Sequence, residues 1–171
     1  IHGEEAHVIG MTIWLTGPGR PEQTLHADWQ PLRLPENVME DDRVQIPMYI
    51  STMHYYLDDI TTDLGPTHFV PGSHRAGRPP EGDTTFQGRG EQAIMCNAGD
   101  GLLFRSEVWH RGTANTSDRM RYLLQVHSAQ RMITQKFPPY PHGFRFDDKI
   151  LAQANPRQRR LLGDHKKSNY D

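Results

Sequence analysis

Cysteine is almost missing from this chain: Cys96 is the only one in 171 residues. A lone thiol excludes an internal disulfide as well as cysteine-ligated zinc and iron–sulfur sites, and it suits a reducing cytoplasm, where the protein is expected to reside. Long apolar runs are missing too. No stretch approaches the roughly 18 residues of a membrane span, and the first residues lack the charged-then-apolar pattern of a signal peptide. Neither sign of charge is in surplus, with 19 Lys+Arg against 21 Asp+Glu and a pI near 6.6. Such a balance offers no basic footprint for nucleic acid or a membrane surface, and it favours a small-molecule partner. Nor is there a long amphipathic helical pattern.

What the chain has instead is punctuation. Thirteen prolines and fifteen glycines cut it into short segments, most of them with strand character. Strands are expected at 7–17, 24–30, 47–57, 67–72, 99–104, 108–112 and 119–133. Short strands, Gly/Pro turns and a hydrophobic fraction of 35% imply one domain over residues 1–171 with one core. The expected fold is mainly β: a double-stranded β-helix, the jelly-roll, cupin-like class, with a few flanking helices. Residues 31–47 and 74–92 are polar, proline- and glycine-rich, and expected to form loops at the mouth of the barrel. A short helix is expected after Asn155, with Asn155 as N-cap, Pro156 in the first position and Gly163 past the end. The chain opens on Ile1 directly before a strand, which suggests that an N-terminal portion is lacking.

Ten histidines are the unusual feature of the composition. Among them, His26-Ala27-Asp28 carries local information. Residues two apart on a strand point the same way, so an imidazole and a carboxylate can share one edge of a metal ion. With a second histidine from elsewhere, that set leaves three coordination positions open, as iron(II) needs for a bidentate co-substrate and O2. Iron(II), cobalt and zinc all accept these ligands, so the donors alone do not name the metal.

The order of further motifs narrows this. After His26 and Asp28 come Leu57-Asp58-Asp59, Gly65-Pro66, Pro71-Gly72-Ser73-His74, Gly99-Asp100, His110, Asn115, Ser117 and Arg121. Over about residues 23–130 the chain resembles the phytanoyl-CoA dioxygenase family of iron(II)/2-oxoglutarate-dependent oxygenases. The resemblance implies that His26, Asp28 and His110 bind Fe(II) and that Arg121 binds the distal carboxylate of 2-oxoglutarate. A guanidinium suits that task, since its planar fork meets a carboxylate with two parallel hydrogen bonds. The implied reaction consumes O2 and 2-oxoglutarate, releases succinate and CO2, and hydroxylates an unactivated C–H bond of a small molecule. An aspartate in the carboxylate position leaves no room for chloride, which disfavours halogenation.

Around this centre other residues are candidates. His54 stands where many family members carry a tryptophan and is a candidate contact to 2-oxoglutarate or the substrate, competing with a packed strand role; Gln23 and Thr24 are further candidate contacts to 2-oxoglutarate, competing with ordinary strand polarity. Trp29, Trp109, His74 and Arg119 are candidates for the substrate pocket, the tryptophans competing with a core role and Arg119 competing with Arg121. The Asp58-Asp59 pair is expected to close a turn. His2, His7, His142 and His165 have no assigned role. Two other classes of function remain open: a cupin-like metal enzyme that does not use 2-oxoglutarate, and a non-catalytic jelly-roll binding module.

Overall fold

The structure, a computed structural model, describes residues 1–30, 33–137 and 145–165. Pro31, Leu32 and His142 lie outside them. Among the described residues, alternating apolar and β-branched side chains build nine strands: β1 (Ala6–Thr16), β2 (Ile50–Tyr56), β3 (Thr67–Phe69), β4 (Thr85–Phe86), β5 (Arg89–Gly90), β6 (Gln92–Ile94), β7 (Gly101–Arg105), β8 (His110–Gly112) and β9 (Arg121–Gln130). They form a four-stranded sheet in the order β1-β9-β2-β7, a three-stranded sheet β6-β3-β8 and the small hairpin β4-β5. All pairings are antiparallel. Phe69 of β3 meets Phe104 of β7 edge-on at 4.8 Å, so the two larger sheets face each other, as a double-stranded β-helix requires.

The polarity of the inner face locates the site. Along β9 burial alternates, and Arg121, Leu123, Gln125, His127 and Ala129 point inward. At one end Leu123 joins Tyr56, Ile60 and Leu64. At the other, Ala129 joins Ile9 and Ile50. Each large apolar side chain so buried contributes about 1.5–3 kcal/mol. Between these two apolar caps the sheet is polar: Gln125 pairs with His54 and His127 with Thr52 across β9 and β2. A buried polar band between two greasy ends is costly unless its groups satisfy one another.

Some expectations shift. Residues 24–30 form no strand. Only His26 pairs, in an isolated bridge with His110, and the chain bends at Asp28. The 31–47 stretch holds a one-turn helix, α1 (Glu36–Met39). The 74–92 stretch holds the β4-β5 hairpin, whose turn residues Gln87 and Gly88 both have positive φ, 49° and 74°, the backbone of a type I′ turn. Near the end, α2 (Asp148–Gln153) starts on an Asp147 cap and α3 (Pro156–Leu161) on Asn155. Asn155 accepts from Gln158 N while the Gln158 side chain accepts from Asn155 N, both at 2.9 Å, a complete capping box.

The outer face of the large sheet is apolar and uncovered, with Met11, Ile13 and Leu15 of β1 beside Tyr122, Tyr55 and Leu103. Among the described residues no helix is long and apolar enough to cross a membrane.

Candidate metal centre

His26 and His110 reach one point because their backbones are paired, His26 N to His110 O at 3.0 Å and His110 N to His26 O at 2.8 Å. Asp28 follows after the bend. Ligand atoms of the three side chains all lie within 4.8 Å of one another. Asp28 Oδ1 is 3.8 Å from His26 Nε2, and Oδ2 is 3.8 Å from His110 Nε2.

Each imidazole is held by its other nitrogen. His26 Nδ1 lies 2.7 Å from Thr24 O and His110 Nδ1 lies 2.8 Å from Val108 O. A carbonyl only accepts, so both Nδ1 atoms carry the proton and both Nε2 lone pairs face the centre. This is how metal-binding histidines are oriented. His110 is 3% exposed and stacks on Phe69 at 5.4 Å with Phe104 edge-on at 5.0 Å. Burial lowers its pKa, opposed by the Asp28 charge, so it faces Asp28 as a neutral ligand and not as the cation of a salt bridge. Two imidazoles and a carboxylate fit iron(II).

Asp28 is supported from behind. Its Oδ2 lies 3.4 Å from both Thr52 Oγ1 and Gln125 Nε2. Thr52 Oγ1 also meets Ser106 Oγ at 2.7 Å and His127 Nδ1 at 3.0 Å. Thr52 and Ser106 are fully buried. Burial, with Lys136 nearby, pushes His127 down to about 4.

The centre opens into a cavity of about 370 Å³ whose walls include His26, Asp28, His54, His110, Gln23 and Arg121. Arg121 is 6% exposed. It donates to Gly65 O, and to Thr16 Oγ1 at 3.1 Å, while its Nε is buried without a partner among the described residues. Burial lowers its pKa, yet a guanidinium stays charged in a protein. Gly65 has φ of 77°, and a Cβ there would come 2.7 Å from Thr113 O, so the acceptor that anchors Arg121 requires glycine.

The remaining candidates separate. Gln23 lines the cavity, its Oε1 accepting from Gly112 N at 2.8 Å. His54 lines it too, 4% exposed and pushed down to about 3, chiefly by burial and next by His110. Thr24 is exposed and off the cavity wall, and its contribution is the carbonyl that orients His26. Trp109 is completely buried with Val70, Ala76 and Phe86, its indole donating to Arg78 O at 2.9 Å. Inward orientation of His110 forces its strand neighbour to the other side, so Trp109 fills core and does not wall the pocket. Trp29 packs on Ile9, Ile50 and Ala129 with Lys136 over its ring at 4.6 Å. His74 lines a different cavity, about 320 Å³, beside Arg105 and Glu107 under the α1 segment. Arg119 is exposed ahead of β9, and its carbonyl accepts from Asn115 Nδ2 at 2.8 Å. Asp58 and Asp59, just past β2, close no local turn with these carboxylates but tie the segment to distant parts of the chain, accepting from Tyr122 N at 2.6 Å and Ala98 N at 2.8 Å.

Sequence reasoning passed over Thr52, Ser106, Gln125 and the part played by His127. A signal existed for two of them: counting in twos from Arg121 puts Gln125 and His127 on the face of the guanidinium.

Residues 10–123 match the family model for phytanoyl-CoA dioxygenase (PhyH). The uncharacterized protein Rv1501 of Mycobacterium tuberculosis is 30% identical over 117 residues, 67% of this chain and 41% of that protein. An Fe(II)/2-oxoglutarate-dependent dioxygenase, nvfF of Aspergillus novofumigatus, is 28% identical over 147 residues, 85% of this chain and 45% of that one. This chain therefore spans less than half the length of these relatives. Among solved structures, the epimerase SnoN in complex with Fe3+, alpha ketoglutarate and nogalamycin RO has a TM-score of 0.60 at 18% identity, covering 83% of this chain and 59% of SnoN. On the extent of the family match, the chain belongs to the phytanoyl-CoA dioxygenase family.

Proposed function

We propose that this protein is an Fe(II)/2-oxoglutarate-dependent dioxygenase acting on a small molecule in the cytoplasm, with His26, Asp28 and His110 as the iron ligands. The observation that carries the reading is one cavity that holds both the two-histidine, one-carboxylate cluster and a buried arginine. Bound iron supplies the oxidative chemistry, coupling decarboxylation of 2-oxoglutarate to hydroxylation of a C–H bond. The residues supply the rest. His26 and His110 present lone pairs fixed by their carbonyl bonds, and Asp28 completes the set. Arg121 holds the distal carboxylate of 2-oxoglutarate through its fork, with Gln23 and His54 on the same cavity wall. Phe69 and Phe104, packed on His110, keep water from the imidazole. Asp28 in the third ligand position favours hydroxylation over halogenation. The similarity to the Fe(II)/2-oxoglutarate-dependent dioxygenase nvfF supports the same class.

The test is reconstitution of the metal-free protein with Fe(II) under argon, addition of 2-oxoglutarate, then air. Succinate should form slowly without substrate and faster with one, and His110→Ala should abolish both iron binding and succinate. A protein that binds iron at this site yet neither binds nor consumes 2-oxoglutarate would instead be a cupin-like metal enzyme of another kind.

A further inference from the structure

Gln125 lies 6% exposed on β9, between Trp14 on β1 and His54 on β2. Its carbonyl oxygen is 2.9 Å from Trp14 Nε1. An indole nitrogen only donates, so this contact fixes which end of the amide is oxygen, a choice that otherwise has two answers. The amide nitrogen must then face the other way. There it lies 3.4 Å from Asp28 Oδ2 and 3.2 Å from His54 Nε2. Two N–H bonds meet two acceptors. His54 therefore presents its Nε2 lone pair and carries its proton on Nδ1.

We propose that Gln125 is a positioning residue of the metal centre, locked by Trp14 so that its amide holds the Asp28 carboxylate and the His54 ring in one orientation. The inference rests on the metal reading above. Three adjacent strands supply the three groups, so the amide cannot turn without breaking the contact to Trp14. With Oδ2 engaged by Gln125 and Thr52, rotation of the carboxylate is arrested beside the two imidazoles. Leucine or methionine in place of Gln125 would fill similar space without donating. Glutamate would set a second carboxylate against Asp28. An uncharged side chain with two donors and one acceptor is what the position asks for, and glutamine and asparagine alone provide it.

Cobalt(II) is the probe, because its visible absorption reports ligand geometry as well as occupancy. Metal-free wild type, Gln125→Leu, Gln125→Met, Trp14→Phe and the Trp14→Phe/Gln125→Leu double variant are titrated with Co(II), and the folding of each is checked by thermal unfolding without metal. Loss of an outer contact to a ligand typically costs 10–100-fold in affinity. Gln125→Leu and Gln125→Met should each weaken Co(II) by about that factor and shift its absorption bands, and Trp14→Phe should do the same to a smaller extent. The double variant should match Gln125→Leu, since Trp14 acts through the amide it anchors. Unchanged affinity and bands in a folded Gln125 variant overturn the proposal, as do losses that multiply in the double variant. Failure of the wild type to bind Co(II), or binding that survives His110→Ala, overturns the metal reading instead.

Discussion

Thr52 of β2 stands opposite His127 of β9, and its hydroxyl joins His127, Ser106 and Asp28 at 3.0, 2.7 and 3.4 Å. One hydroxyl has one proton and two lone pairs, and all three are used: it donates to Asp28 and accepts from the other two. Thr52→Val keeps the shape and removes this junction, stranding the Ser106 hydroxyl and the His127 N–H in a dry interior. Stranded buried groups cost about 1–3 kcal/mol. Urea unfolding of the metal-free variant should show a loss in that range, and Thr52→Ser should recover most of it.

Arg121 is predicted to govern the co-substrate. Charge-assisted hydrogen bonds contribute about 1.5–3 kcal/mol, so Arg121→Lys, which keeps charge but loses the fork, should raise the Michaelis constant for 2-oxoglutarate by about 10–100-fold. Gly65→Ala should move it in the same direction by displacing the carbonyl that anchors the guanidinium. Equal Michaelis constants in wild type and Arg121→Lys would sink the assignment.

Acid should destabilise the metal-free protein through its buried histidines. His54 is pushed down to about 3 and His127 to about 4, from an ordinary value of 6.5. Between those limits the unfolded chain binds protons that the folded one refuses, so stability rises with pH across the window. It is complete above pH 6.5 and falls as pH drops towards 4, with a slope of up to about 1.4 kcal/mol per pH unit for each histidine. Unfolding free energies measured at pH 7, 6 and 5 check the sign.

The α3 cap provides a control away from the site. Asn155→Ala removes half of the capping box and should cost about 1 kcal/mol, read as a lower melting temperature. Iron affinity and succinate formation should not change.

How much of this could be read from the letters varies residue by residue. The β-rich class followed from Gly/Pro spacing and alternation, and the short α3 helix from Asn155, Pro156 and Gly163 in order. His26, Asp28, His110 and Arg121 were visible because their motifs are linked in sequence. For Trp109 the sequence offers both core and pocket wall, and strand geometry decides between them: the neighbour of a ligand on a strand faces the other way. The 24–30 segment misled differently, since its alternation is real but only His26 finds a strand partner. Gln125 and Thr52 were hidden because an inward polar side chain reads like ordinary strand polarity until its partners on neighbouring strands are known. His74 depended on where a proline-rich loop came to rest, which no local pattern sets.

His26 and His110 exchange both of their backbone hydrogen bonds, and they lie far apart in the chain. An ion bound to both is a rivet across that seam, closing a loop that covers about half the protein. Ring closure of this size removes freedom from the unfolded chain, a role that disulfides fill elsewhere and that the single cysteine of this sequence cannot fill within it. Metal binding and fold stability would then be linked: free metal at one hundred times its dissociation constant adds about 2.7 kcal/mol, and the metal-free protein would be the looser one.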